Sequence, residues 1–174
     1  MSDMENKKFL TVMAVFDGDT QARLDKIQRY ITSNVAEGTQ TMEIPFHITL
    51  GSYPTDDEQS VVDKIKRVAE NTYCFDVQLT RYNHFGNRVM YVEPQICDGL
   101  VALRTQFEND YAHGFEWIPH ATLYCGEEGE VIKARGIAPA SELPIDARIV
   151  GIELGEFFPT RKIIRVSFKE RERV

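Results

Sequence analysis

Two four-residue segments of one form constrain this chain more than anything else in it. They are His47-Ile48-Thr49-Leu50 and His120-Ala121-Thr122-Leu123, with their histidines 73 positions apart. Each lies in a short run of β-forming residues, and each follows a stretch with helical spacing. In a strand, residues i and i+2 point to the same side. Each segment therefore sets an imidazole and a hydroxyl on one face and two apolar side chains on the other. The pattern suggests two related halves rather than a solenoid array, because only two copies exist.

The rest of the chain alternates short strands with amphipathic helices. Lys8 to Phe16 reads as a buried strand, followed by a turn at Asp17-Gly18. Asp19 or Thr20 then caps a helix carrying Leu24, Ile27 and Ile31 at helical spacing. Phe46 to Ser52 is the first motif strand. A second helix opens at Thr55 or Asp56, with Val61, Val62, Ile65, Val68 and Ala69 on one stripe. Tyr73 to Arg81 and Arg88 to Val92 form a hairpin around a turn at Asn83 to Asn87. A third helix starts at Cys97 or Asp98, runs through Leu100, Leu103, Phe107 and Tyr111, and stops at Gly114. Trp117 to Cys125 is the second motif strand. A short helix broken near Gly136 follows, and Ile145 to Phe157 pairs with Lys162 to Phe168 as a final hairpin. Tight turns between strand neighbours predict largely antiparallel or mixed sheets in an α+β fold.

No apolar run approaches the roughly 20 residues that cross a bilayer. The first residues, MSDMENKKFL, lack the uniform apolar core of a secretory leader. Cys74, Cys97 and Cys125 are odd in number and contain no CxxC pair, so reduced thiols in a cytoplasmic protein are expected. The net charge is −7. A domain that grips long nucleic acid usually carries a basic surface, so this balance favours small or short phosphate substrates.

The residue types in the paired motifs suit a phosphodiester. A neutral imidazole takes a proton from an attacking hydroxyl or water, while a protonated one gives a proton to the leaving alkoxide. Histidine titrates near 6.5, so both forms coexist near neutral pH. Thr49 and Thr122 can donate to the non-bridging phosphoryl oxygens. A lone His-x-Thr is usually packed or exposed without a role; two copies with one spacing argue otherwise.

A zinc site needs three or four ligands in metal geometry, and His84, His113 and Cys125 form no ligand spacing with the motif histidines. Strand parity also sets Cys125 on the face opposite His120, against a Cys-His nucleophile pair. The same parity groups Tyr124 with His120, and Tyr53 with His47, as candidates for stacking on a base or sugar. Packing within the core is the competing role for both tyrosines. Trp117 carries the same two readings. His84 and His113 sit beside glycines and read as surface histidines.

The two motifs resemble those of the two-histidine (2H) phosphoesterase superfamily, which includes bacterial 2′-5′ RNA ligase-like proteins and RNA 2′,3′-cyclic phosphodiesterases. The glycine-marked segment Phe85 to Pro94, the Leu-rich helix after it and Pro119 before His120 are similar to the family's pattern as well. The resemblance spans about Lys8 to Phe168. It implies a bilobal, pseudo-two-fold α+β fold, with antiparallel strands lining a central cleft and helices outside. Residues 1–174 would then be one domain of two intertwined lobes. It also implies catalysis by His47 and His120, phosphate held by Thr49 and Thr122, and neither metal nor other cofactor.

Many RNA-acting relatives carry a basic residue soon after the second motif, where this chain has Tyr124, Cys125 and Gly126. Gly51 after the first motif brings no side chain. The expected activity is opening of a 2′,3′-cyclic phosphate, or of a related 2′-5′ phosphodiester, in a nucleotide or short oligonucleotide, by a monomer. The alternatives are a nucleotide-binding module with little turnover and a 2′-5′ RNA ligase.

Overall fold

The computed structural model describes residues 7–111 and 116–172. The strands are β1 (Phe9–Phe16), β2 (His47–Pro54), β3 (Phe75–Phe85), β4 (Val89–Pro94), β5 (Ala121–Cys125), β6 (Ile145–Phe157) and β7 (Arg161–Ser167). The helices are α1 (Gly18–Asn34), α2 (Glu58–Glu70), α3 (Asp98–Phe107) and α4 (Glu128–Ile137). The seven strands form one sheet in the order β2-β1-β6-β3-β4-β5, with β7 paired to β6. All of these pairs are antiparallel.

The long strand β6 belongs to both halves of this α+β fold. Its first residues, Ile145 to Ile149, pair with β3, whereas Gly151 to Glu156 pair with β7. One half therefore runs β2-β1-β6-β7 and the other β6-β3-β4-β5. Each motif strand lies at the far end of its half.

The sequence explains which face the helices cover. Leu10, Val12, Ala14 and Phe16 of β1 join Leu24, Ile27 and Ile31 of α1, Val61 and Ile65 of α2, and Leu100, Leu103 and Phe107 of α3 in one core. Burying each of these side chains larger than alanine contributes about 1.5–3 kcal/mol before chain entropy is counted. The alternate β1 residues Met13 and Val15 fall on the opposite face, in a small cluster with Phe157. Met13 lies opposite both Thr49 and Glu153, and Val15 opposite His47. The His-Thr face of β2 is thus the face away from the helices. Among the described residues, no helix is long and apolar enough to cross a membrane.

Several boundaries differ from the sequence reading, each for a local reason. Asp17, not Asp19 or Thr20, caps α1: its carboxylate accepts from the Thr20 amide at 2.9 Å. The β3–β4 hairpin turns later than expected, at Gly86 and Asn87, which both take positive φ as a tight hairpin turn requires. His84 is consequently a strand residue. Helix α3 ends at Phe107 instead of continuing through Tyr111, because Asn109 bonds the local backbone on both sides, giving to the Phe107 carbonyl and accepting from the Tyr111 amide. Gly114 and His113 lie outside the described residues. Helix α4 passes through Gly136 unbroken and stops before Pro139, whose ring disfavours a helical residue ahead of it.

Candidate active site

The two motif histidines are held in the same way. The His47 Nδ1 donates to the Pro45 carbonyl and the His120 Nδ1 to the Ile118 carbonyl, each at 2.8 Å and each two residues back. A carbonyl can only accept, so Nδ1 carries the proton in both rings. The Nε2 of each ring is left to accept or, when charged, to donate. Use of the Ile118 carbonyl in this bond, together with the missing N–H of Pro119, also explains why β5 starts at Ala121 and not at Trp117.

Burial pulls both imidazoles below their ordinary value of 6.5. For His47 the bond to Pro45 opposes this, the charge of His120 adds to it, and the carboxylate of Glu153 works against it. For His120 only the Ile118 bond opposes burial. The surroundings of the two rings are unlike. His120 packs edge-on to Phe85, with centroids 4.8 Å apart, and beside Tyr91 at 5.2 Å. His47 lines a cleft of about 730 Å³ together with Thr122, Cys125, Glu153, Lys162 and Arg165. The cleft thus draws one member from each motif. His120 and Thr49 are not in its lining, but the charge of His120 is felt at His47.

Both motif strands carry a bulge at the same place. Between Thr49 and Gly51 the register with β1 slips, leaving Leu50 without a partner. Between Thr122 and Tyr124 the register with β4 slips, leaving Leu123 without one. A bulge turns the side chains beyond it to the other face. The carbonyls freed at the two bulges find matching donors. Gln28 of α1 donates to the buried Leu123 carbonyl at 2.7 Å, and Arg104 of α3 donates to that of Leu50. The Arg104 guanidinium also lies over the Trp117 ring, 5.4 Å from its centroid, and Trp117 Nε1 donates to the Thr49 carbonyl at 2.9 Å. Trp117 therefore ties the approach to His120 onto the strand of Thr49.

The bulges overturn the parity argument beyond each motif. Tyr124 is fully buried in the core, with no face to offer a base, although its number shares parity with His120. Cys125, expected on the opposite face, lines the cleft, where burial raises its thiol pKa. Tyr53 packs against the core and donates its hydroxyl to the Phe107 carbonyl at 3.0 Å. Gly51 is required between them: a Cβ there would lie 2.3 Å from the Phe107 carbonyl oxygen. His84 is bonded through Nδ1 to Arg135 at 3.1 Å. Among the described residues, no three His, Cys, Asp or Glu side chains converge as a metal site.

The segment before β2 shapes the rest of the cleft. Gln21 of α1 bonds both the amide and the carbonyl of Phe46, and the end of β5 is pinned by Thr39 and Gln40 at both polar groups of Cys125. Sequence reasoning missed Glu153, Lys162 and Arg165. They carry no motif, and the pairing of β6 with β7 brings them together.

The model of the 2′-5′ RNA ligase superfamily matches residues 16–154. No curated protein matches the sequence directly. Among solved structures, TT0787 of Thermus thermophilus is similar with a TM-score of 0.64 and 15% identity, over 94% of this chain and 100% of that one. LigT of E. coli is similar with a TM-score of 0.62 and 14% identity, over 93% of this chain and 98% of that one. At such identities the likeness speaks for the fold, while the family match, which takes in both motifs and most of the chain, carries the assignment. The chain belongs to the 2′-5′ RNA ligase superfamily, the two-histidine phosphoesterases.

Proposed function

We propose that the protein is a metal-independent phosphodiesterase that opens 2′,3′-cyclic phosphates, or related 2′-5′ phosphodiesters, of nucleotides or short RNA. The observation that carries this reading is the matched pair of imidazoles, each with Nδ1–H held by a carbonyl and Nε2 left for proton transfer. One neutral histidine takes a proton from water as its oxygen attacks phosphorus. The bond from phosphorus to one ring oxygen breaks, and the other histidine, as imidazolium, protonates that oxygen. Thr49 and Thr122 donate to the non-bridging oxygens, whose charge grows in the transition state. With a 5′-hydroxyl in place of water as the attacking group, the same ring-opening steps join strands, and their reverse cleaves the joint back to a cyclic phosphate.

LigT of E. coli has been solved with 3′-AMP, with phosphate and with ATP. Those ligands of a protein with the same fold support a nucleotide as the occupant here. The reading takes the chain as one domain of two intertwined halves, acting as a monomer in the cytoplasm. The crossed bonds of Gln28 and Arg104 support the intertwining.

The deciding experiment is turnover of adenosine 2′,3′-cyclic phosphate by purified protein in excess chelator. Turnover is expected in the wild type, with a loss of roughly 10²–10⁴-fold in both His47→Ala and His120→Ala. Full activity in either variant, or dependence on added metal, would sink the mechanism. Nucleotide binding without any product would favour a binding module instead.

A further inference from the structure

The most anomalous side chain in the cleft is Glu153. It lies on the central strand β6 and is only 3% exposed. One carboxylate oxygen pairs with Lys162 Nζ at 3.0 Å, while the other, Oε2, is buried with no hydrogen-bond partner. A buried carboxylate is costly unless it organises charge around it. Here it shares one face of the sheet with two cations of β7. Arg165 lies directly opposite Glu153, and Lys162 lies opposite Gly155. Simple alternation would place residues 162 and 165 on opposite faces. The register slip that leaves Ile163 unpaired puts both on the face of Glu153, and both side chains line the cleft with His47 and Thr122.

Two cations over one carboxylate leave this end of the cleft with a surplus positive charge, in a protein whose total is −7. Of the other acids in the lining, Asp25 is paired with Arg29 at 2.7 Å, and Glu43 is exposed, where solvent screens it. Arg161, nearby on β7, is taken up by Glu58 and Glu156. Arg165 has no carboxylate within ion-pair distance among the described residues. Thr49, Met13, Glu153 and Arg165 form one cross-strand row. At about 4.8 Å per strand the row spans about 14 Å between the outer Cα atoms. The long side chain of Arg165 shortens that distance towards the histidines.

We propose that Arg165, opposite Glu153 in the sheet, and Lys162, held by the Glu153 carboxylate, form a second anion subsite that binds a phosphate of the substrate other than the one under attack. The preferred substrate is then a nucleotide carrying both a terminal cyclic phosphate and a further phosphate, such as a 5′-phosphate or an internucleotide linkage, over a bare nucleoside cyclic phosphate. Glu153 is a positioning residue: it holds Lys162 and touches no substrate. The inference rests on the phosphodiesterase reading of the same cleft. The competing explanation is that cations on the edge strand β7 merely discourage strand pairing.

Calorimetry with two stable ligands separates these. Adenosine 3′,5′-bisphosphate is expected to bind the wild type about tenfold more tightly than 3′-AMP, the worth of a charge-assisted contact. Arg165→Ala should bring the ratio to near one by weakening the bisphosphate alone. Arg165→Lys should keep part of the preference. Glu153→Gln should lower it while leaving 3′-AMP binding in place. Lys66→Ala, which removes an exposed charge from α2, should change nothing. Equal binding of the two ligands by the wild type overturns the subsite and leaves the phosphodiesterase reading standing, as does an unchanged ratio in Arg165→Ala. Failure of both ligands to bind overturns the nucleotide reading of the cleft and the subsite with it.

Discussion

Gln28 and Arg104 perform the same task on opposite halves of the molecule. Gln28, on the helix after β1, supports the bulge of β5, and Arg104, on the helix after β4, supports the bulge of β2. Each motif strand is thus shaped by a helix that the other half supplies. Replacing either side chain with methionine keeps an unbranched stem but removes the donor. A buried carbonyl left without one costs about 1–3 kcal/mol. Gln28→Met and Arg104→Met should therefore each lower the urea midpoint and also reduce kcat, because Thr122 and Thr49 precede the affected carbonyls. Unchanged midpoints would show that the bulges hold themselves.

The threonines offer a cleaner test of transition-state stabilisation. Thr49→Val and Thr122→Val preserve shape while removing a hydroxyl donor. Loss of one preorganised donor to a developing charge lowers kcat on the order of 10²-fold. The effect should fall on kcat, with KM for the cyclic phosphate nearly unchanged. A rise in KM alone would reassign the hydroxyls to ground-state binding.

The pH behaviour follows from burial. The proposed mechanism uses one imidazole neutral and the other charged, and both rings are held below 6.5. The bell for kcat/KM, which reports the free enzyme, should peak on the acid side of 6.5. Binding of an anionic phosphate favours the charged form, so the bell for kcat should lie at higher pH. The same shifts act on stability. The unfolded chain takes up protons near 6.5, while the folded chain resists them until lower pH. Their stabilising contribution is complete above 6.5 and falls as pH drops towards the folded values. Urea midpoints at pH 7.5 and 5.5 should differ less in His47→Gln than in the wild type. An optimum above pH 7 for kcat/KM would contradict the burial argument.

The i, i+2 spacing of His47 with Thr49 and the helical stripe of Leu24, Ile27 and Ile31 were legible because local periodicity dictates them. The slips at Leu50, Leu123 and Ile163 were not. A bulge leaves no mark when the extra residue is as apolar as its neighbours, yet it reverses every facing beyond it. That single omission misplaced Tyr124 and Cys125 and hid the convergence of Lys162 and Arg165. The donors Gln28 and Arg104 were invisible for a second reason: they serve carbonyls 95 and 54 positions away, a relation only the sheet order reveals.

The crossing of helices between halves has a consequence for ancestry. A chain of half this length, with one strand-helix-motif unit, has no helix of its own beneath its bulge. It can complete itself only by trading helices with a second copy. Fusion of two such copies converts a partnership that depends on concentration into one fixed by the peptide bond. It also frees the two halves to diverge, leaving aromatic rings around one histidine and charges beside the other.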